Sequence, residues 1–559
     1  MGKNHRAIGV IDAETDPFKR YRVPRPFIWG FYDGSRYLSF ERTGDLVEFL
    51  KDFDGIVYAH NGGRFDFHFL LHYLEPYSDI MLIHGRIASV KLGACELRDS
   101  YCILPIPLKA YKKDEIDYSI MEIEARYLKR NWDAINQYLK SDCVYLWELV
   151  TRFIEDYGLS LTLAGAAMKQ WKKISPLEVP RSDHVFYGDI FPYYYGGRVQ
   201  CFETGVIDQP FRVFDINSAY PFAMLHKHPY SLNYHERGHW HDKCDFVRFK
   251  GVSLGALPYR SKGDDGHVKN TLLFPDDHEP REYFVTRWEF DAAIDTLLLY
   301  DVEIISTLTF MGHVDFSDYV NHFHRVKQEA EKTGDVATRT FAKLFLNSLY
   351  GKFAANPDKY RDRMIVPPEV APGLCTDDAL EKIGWKAGGE IGPWILAEAE
   401  LDDHKKHYYN VATGASITGF VRAMLWRSLC ASGRPLYCDT DSIAAFSDGG
   451  DLRGDGDGKK LGEWKLEGNF YRAGIAGKKL YIFDGSDPDG NPLTKMATKG
   501  ARLSEAQMWE VAEGGDVDYQ PDAPTFSAKA NPWMIAVENE EIGKKMFMTR
   551  KIKNTLQNT

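Results

Sequence analysis

Apolar residues along this chain gather into short runs that end in acids. Ile8-Gly9-Val10-Ile11 reads as a strand running into Asp12-Ala13-Glu14-Thr15, and at a strand's two-residue period Asp12 and Glu14 share one face. Val213-Phe214 leads in the same way into Asp215. Leu436 precedes Tyr437-Cys438-Asp439-Thr440-Asp441-Ser442, and Ile443, Ala444, Ala445 and Phe446 follow, which predicts strand, turn and strand with two carboxylates at the tip. Other stretches carry the helical period. Trp132–Leu149 is amphipathic, with Tyr138 and Asp142 one turn apart. Arg339, Lys343, Asn347 and Tyr350 recur at spacings of 4, 4 and 3 and share a face, while Phe341, Leu344, Phe345 and Leu349 spread over the others.

Two long connections interrupt this pattern. Pro229 to Phe316 contains a Gly/Asp-rich loop at Ser261–Gly266, and Asn356 to Asp403 contains Val366-Pro367-Pro368 and Gly388-Gly389. Long irregular insertions in a compact domain are functional or disordered. The 559 residues exceed one hydrophobic core and predict three or four domains. A net charge of −11 excludes a chain coated in DNA-binding charge but leaves room for local basic clusters. Eight scattered cysteines without a CxxC exclude a zinc ribbon or disulfide framework and predict a reducing compartment. No apolar run reaches membrane-spanning length, and the first residues form no signal peptide or myristoylation signal. The expected location is the cytoplasm, that of a host if the protein is viral.

Asp215, Asp439 and Asp441 together suit a hard cation, which takes carboxylate, carbonyl and phosphate oxygens. A lone DxD on a turn is more often a solvated loop. Here three signatures follow one another: Asp215-Ile216-Asn217-Ser218-Ala219-Tyr220-Pro221, Lys343 to Gly351, and Tyr437 to Ser442. They resemble motifs A, B and C of family B DNA polymerases. Upstream, Asp12-Ala13-Glu14, then His60-Asn61 with Phe65-Asp66, then Tyr138 with Asp142 resemble the three motifs of the DEDDy 3′→5′ exonucleases that precede them in that family. Four carboxylates and a tyrosine hydroxyl suit two metals and a hydrolytic water.

Further marks resemble the short, protein-primed branch of bacteriophages, tectivirus-type members above all. They are Arg98-Asp99-Ser100-Tyr101 (with Tyr101 in place of the usual Leu), Lys113 to Ile116, Tyr194-Tyr195-Gly196-Gly197 and Lys479-Leu480-Tyr481. The resemblance runs from about Ile8 to about Arg502, and the first acidic motif leaves no room ahead for the N-terminal domain of cellular members.

The resemblance implies a multidomain α/β and α+β fold. An RNase H-like exonuclease domain (1–165) would precede a right-hand polymerase domain (166–559). The palm would take 166–321 and 404–500, the fingers 322–353 and the thumb 501–559, with terminal-protein-region-like insertions at about 260–318 and 356–403. It implies Mg2+, two per active site, with Mn2+ able to substitute. The polymerase ligands are then Asp215, Asp441 and the Ile216 carbonyl, with Asp439 in support, and the exonuclease ligands are Asp12, Glu14, Asp66 and Asp142, assisted by Tyr138 and Lys113. Nucleotide contacts fall to Tyr220 (a steric gate against ribose), Lys343, Asn347, Tyr350 and Lys332. DNA contacts fall to Thr15, His60, Asn61, Phe65, Ser100, Tyr194, Gly196, Gly197, Lys352, Lys479 and Tyr481. The implied partners of a monomer are template and primer DNA, dNTPs and a terminal priming protein. A basic cluster of Lys544, Lys545, Arg550, Lys551 and Lys553 suits a DNA-gripping thumb or a solvated tail. Competing readings are a nucleic-acid-primed repair or plasmid polymerase, a non-catalytic DNA-binding scaffold and a stand-alone nuclease.

Overall fold

The computed structural model describes residues 6–17, 24–175, 177–262, 268–370, 384–454, 456, 458–499, 501, 503–519 and 550–552. A seven-stranded sheet occupies the first hundred residues, in the order Tyr37–Phe40, Pro26–Tyr32, Ala7–Thr15, Gly55–Ala59, Cys95–Asp99, Arg86–Leu92, Ile80–Ile83. Ala7–Thr15 and Cys95–Asp99 both run parallel to Gly55–Ala59, which is buried at every residue. Such a doubly covered parallel strand reads as an unbroken apolar run. The helix Lys129–Tyr157 lies across one face and buries Ile135, Tyr138, Leu139, Asp142 and Leu146 at helical spacing. It is longer than Trp132–Leu149 at both ends and stops at Gly158, whose φ is 82°.

The expected boundary at 165 would cut the next helix, Leu163–Ile174, because its apolar period continues beyond that point. Trp171 of this helix packs on Phe316 and Phe353, at 5.1 and 5.7 Å between ring centres. The helices themselves are separated by the connection 158–162.

An eight-stranded sheet forms the centre of the remainder. Its strand Phe211–Ile216 lies between Ser442–Phe446 and Trp464–Gly477, antiparallel to both. Behind it runs the helix Val411–Ser432, buried along most of its length. Ser317–Thr333 and Val336–Ser348 form an antiparallel helical hairpin turned at Gly334, φ 72°. An aromatic cluster ties this hairpin to the helix Lys129–Tyr157: Tyr157 stands 4.5 Å and Phe153 5.8 Å from Phe345. Arg152 adds an ion pair with Asp335 at the hairpin turn.

Both insertions are folded where described. The first begins before 260, since Tyr234–Arg237 and Phe246–Ser253 join Leu299–Phe310 and Arg281–Thr286 in one sheet. The second is a three-stranded sheet of Arg361–Val366, Trp394–Glu400 and Trp385–Ile391. Its Ile365, Ile391 and Leu396 enter the core of the seven-stranded sheet, and Trp394 Nε1 donates to the Leu71 carbonyl at 2.7 Å. Residues 371–383, which follow the Pro-rich run, lie outside the described residues, as do 263–266 of the Gly/Asp-rich loop. In the C-terminal segment the helix Glu505–Ala512 packs through Met508 and Val511 with Ile482, and Val517–Tyr519 pairs with Arg550–Ile552. Lys544, Lys545 and Lys553 lie outside the described residues.

Candidate active sites

At the end of the first strand, ligand atoms of Asp12, Glu14 and Asp142 all lie within 4.8 Å of one another. The strand's alternation supplies the first two, and the helix Lys129–Tyr157 supplies the third by crossing its face. Asp66, in the short helix Asp66–Leu70, is 3% exposed. Crowding dominates the electrostatics. Burial, then Asp142, pushes the Glu14 carboxyl up to about 8, and burial, then Asp99, pushes Asp66 up to about 7. Burial followed by Asp66 holds Asp12 well above the usual carboxylate range. Burial also raises Asp142, against the pull of Lys113, whose Nζ stands 3.8 Å from Asp142 Oδ2. The Oδ1 atoms of Asp66 and Asp142 are buried without a hydrogen-bond partner. Hard oxygen donors with orphaned atoms fit a divalent cation.

Tyr138 shares a hydrogen bond with the Tyr118 hydroxyl at 3.3 Å. Burial, then that bond, then Asp142 hold its pKa far above its ordinary value, so it stays neutral. Beside the acids, His60 Nδ1 is 2.9 Å from Ser100 Oγ, and Asn61, at φ 62°, accepts from Arg86 Nη1 at 2.7 Å. Arg86 also pairs with buried Asp99 at 2.5 Å and lies 4.5 Å over Tyr101. Phe65 meets Phe69 edge-on at 5.2 Å, and Thr15 is buried at the strand end. Sequence reasoning missed Arg86, because no local pattern marks it; it arrives through the strand Arg86–Leu92 of the same sheet.

The polymerase-type acids meet on the other sheet. The hairpin is as expected: Pro435–Asp439 pairs with Ser442–Phe446, and Thr440 takes φ 63° at its tip. Asp215 stands opposite Ser442, and Ile216 N donates to the Asp441 carbonyl at 2.8 Å. Burial, then Asp441, then Glu467 push Asp215 up to about 7, and burial, then Asp439, push Asp441 up to about 6. Glu467 was not foreseen, since it joins the acids only through the sheet neighbour Trp464–Gly477. Asp439 faces a different partner: both its oxygens accept from Lys479 Nζ at 2.6 Å. Lys479 N donates to the Tyr437 hydroxyl at 2.9 Å, and Tyr481 is buried 4.9 Å from Tyr437.

Tyr220 and Tyr350 stack face to face, 4.2 Å between centres and 2° between planes. Lys343 and Asn347 are exposed one turn apart, with Asn347 Nδ2 donating to the Lys343 carbonyl at 3.0 Å. Burial holds the Lys327 ammonium below its ordinary range, with Lys343 and Arg339 adding to it and Glu331 opposing. The helical hairpin thus brings Lys327 to this stripe. Lys332 sits exposed on the same helix about 140° round from Lys327. Lys352 lies 5.7 Å over Tyr409. The loop Tyr194–Gly197 is clamped from behind. Arg422 Nη1 donates to the Tyr195 and Gly196 carbonyls at 2.6 and 2.8 Å and Arg422 pairs with Glu289 at 2.7 Å, while Arg260 donates to the Tyr194 carbonyl.

Comparison with known proteins agrees with this geometry. The family described as DNA polymerase type B, organellar and viral, matches residues 101–418. The DNA-directed DNA polymerase of Enterobacteria phage PRD1 is 36% identical over 94% of this chain and 97% of its own length. The DNA polymerase of Bacillus phage Nf is 30% identical over 86% of this chain and 90% of its own. The phi29 DNA polymerase complexed with primer-template DNA and incoming nucleotide substrates has the same fold, with a TM-score of 0.71 at 22% identity, covering 94% of this chain and 98% of that one. The expected order, an exonuclease-type sheet followed by a right-hand polymerase, is the architecture observed. The chain belongs to the type B DNA polymerases, organellar and viral.

Proposed function

We propose that this chain copies a DNA template by adding dNTPs to a 3′-hydroxyl at Asp215 and Asp441, and removes unpaired 3′ ends at Asp12, Glu14, Asp66 and Asp142. The observation that carries the reading is the pair of acid clusters on separate sheets, each holding carboxyls above their ordinary pKa. Carboxylates crowded in this way are poised for cation binding. Magnesium or manganese, held by these acids and the Ile216 carbonyl, supplies charge stabilisation for phosphoryl transfer when bound.

The chain's own residues do the positioning. The stacked Tyr220–Tyr350 pair walls the nucleotide pocket and excludes a 2′-hydroxyl by bulk. Lys343, Asn347 and Lys327 face the triphosphate from the helical hairpin. Lys479, fixed by Asp439, meets the primer strand, while Tyr194, Gly196, Gly197 and Lys352 border its path. In the exonuclease cleft neutral Tyr138 orients water and Lys113 moderates Asp142. Thr15, His60, Asn61, Phe65 and Ser100 hold the frayed strand. We assign the exonuclease domain to the residues before the connection 158–162, and the palm, fingers, two insertions and thumb to the remainder.

The initiating hydroxyl is proposed to be a Ser, Thr or Tyr of a terminal protein, and the product a linear viral genome copied with strand displacement by a monomer in the host cytoplasm. Resemblance to the protein-primed branch supports this part. Incubation of the purified chain with labelled dATP, Mg2+ and the product of a neighbouring gene, without any nucleic acid primer, tests it. A protein that acquires label supports priming; no labelled protein, with incorporation seen only in a parallel reaction given an oligonucleotide primer, contradicts it.

A further inference from the structure

Arg198 follows directly on Tyr194-Tyr195-Gly196-Gly197 and is 1% exposed. Its guanidinium lies 4.1 Å from the ring centre of Phe274 and 4.6 Å from that of Trp426. Nε and Nη2 both donate to Gln200 Oε1, at 3.1 and 2.5 Å, while Nη1 is buried without a hydrogen-bond partner. Burial lowers its pKa to about 10, which leaves it charged at neutral pH. A cation kept in such a place costs free energy, and packing alone would be served as well by an apolar side chain.

The main chain of this residue shows what the cation is kept for. The Arg198 carbonyl accepts from Thr440 N at 2.7 Å, and Thr440 is the left-handed residue between Asp439 and Asp441. Val199 and Gln200 pair with Asp439 and Cys438. A Cβ on Gly197 would stand 2.8 Å from Thr440 Cγ2, so the backbone here lies flat against the back of the turn. Arg422 holds the Tyr195 and Gly196 carbonyls on one side, and the short strand's pairing holds the other. Two glycines precede it, and the strand that follows, Val199–Cys201, has three residues at the edge of the sheet. Between these two anchors, the contacts with Phe274, Trp426 and Gln200 hold residue 198 itself.

We propose that Arg198 is a positioning residue for polymerisation: its buried guanidinium locks the 197–199 backbone so that its carbonyl holds Thr440, and with it the angle at which Asp439 and Asp441 leave the hairpin. This rests on the reading of Asp441 as a polymerase acid. The test compares Arg198→Met, Arg198→Lys and Asp441→Ala in the full-length chain. Arg198→Met is expected to melt at or above the parental temperature and to degrade single-stranded DNA at the parental rate. Its kcat for incorporation should fall about 10- to 100-fold with dNTP KM little changed, since misplacement of a reacting group by about 1 Å costs that much. The Mg2+ concentration for half-maximal incorporation should rise, and Arg198→Lys should restore part of the rate.

Parental kcat in Arg198→Met overturns the proposal. So does a joint fall of kcat, melting temperature and degradation, which marks a merely structural residue. Asp441→Ala separates the two levels of the argument. If it still incorporates nucleotides, the reading of the acids fails; if it is inactive while Arg198→Met runs at parental speed, only the positioning role fails.

Discussion

Replacing Glu14 by Gln is expected to stabilise the metal-free protein at pH 8 while ending 3′-end degradation. Burial first, and Asp142 next, raise the Glu14 carboxyl from 4.5 to about 8. The folded state therefore binds more protons than the unfolded chain. Its contribution to stability is complete below pH 4.5 and is lost as pH rises through about 8. Taken whole, such a shift is worth about 5 kcal/mol. Coupling among four acids and solvent entry into the cleft reduce the usable part to about 2 kcal/mol. For a domain of this size that corresponds to about 4–8 °C. Scanning calorimetry in EDTA at pH 5 and pH 8 reads it out: the parent's transition for the seven-stranded sheet should fall with pH and that of Glu14→Gln should fall less. Added Mg2+ should raise the parent more than the variant, because it binds the folded site. A variant that melts at or below the parent in EDTA at pH 8 refutes the repulsion argument.

Tyr220→Val should admit ribonucleotides with a modest loss of dNTP use, and unchanged discrimination in single-nucleotide insertion assays would remove Tyr220 from the gate. Lys479→Met frees Asp439 and removes one of the groups that lower the Asp441 pKa, so the acid limb of the pH–rate profile for incorporation should move to higher pH; an unmoved limb contradicts the pairing. Replacing 366–392 by a short Gly-Ser linker removes Ile391 from the core of the seven-stranded sheet. It should preserve extension on primed single strands but shorten products on primed circles with a displaced strand, at one binding event; parental product length there would show that the insertion is not a processivity device.

Contiguous chemistry was the most legible part of the chain. Asp12 and Glu14 fall on one strand face, and Asp439 and Asp441 at a hairpin tip, so neighbours in sequence are neighbours in space. Glu467, Arg86 and Arg198 escaped notice because sheet pairing, not local pattern, brings them to the acids. The helix Lys129–Tyr157 exceeds its amphipathic core because Phe153 and Tyr157 face the helical hairpin rather than their own sheet. In the second insertion Gly388-Gly389 suggested a loop. There the register shifts between Ala387 and Gly389, at φ 139°, so the glycines mark a bulge in a paired strand.

The central claim is that two acid clusters run two separate reactions, and parallel assays of the same preparations test it most directly. Nucleotide incorporation on a primed template and degradation of labelled single-stranded DNA would be measured for Asp441→Ala and for the Asp12→Ala, Glu14→Ala double variant. The first should lose incorporation by orders of magnitude and keep degradation, and the second should do the reverse. Equal loss of both activities in either well-folded variant would contradict the two-site account.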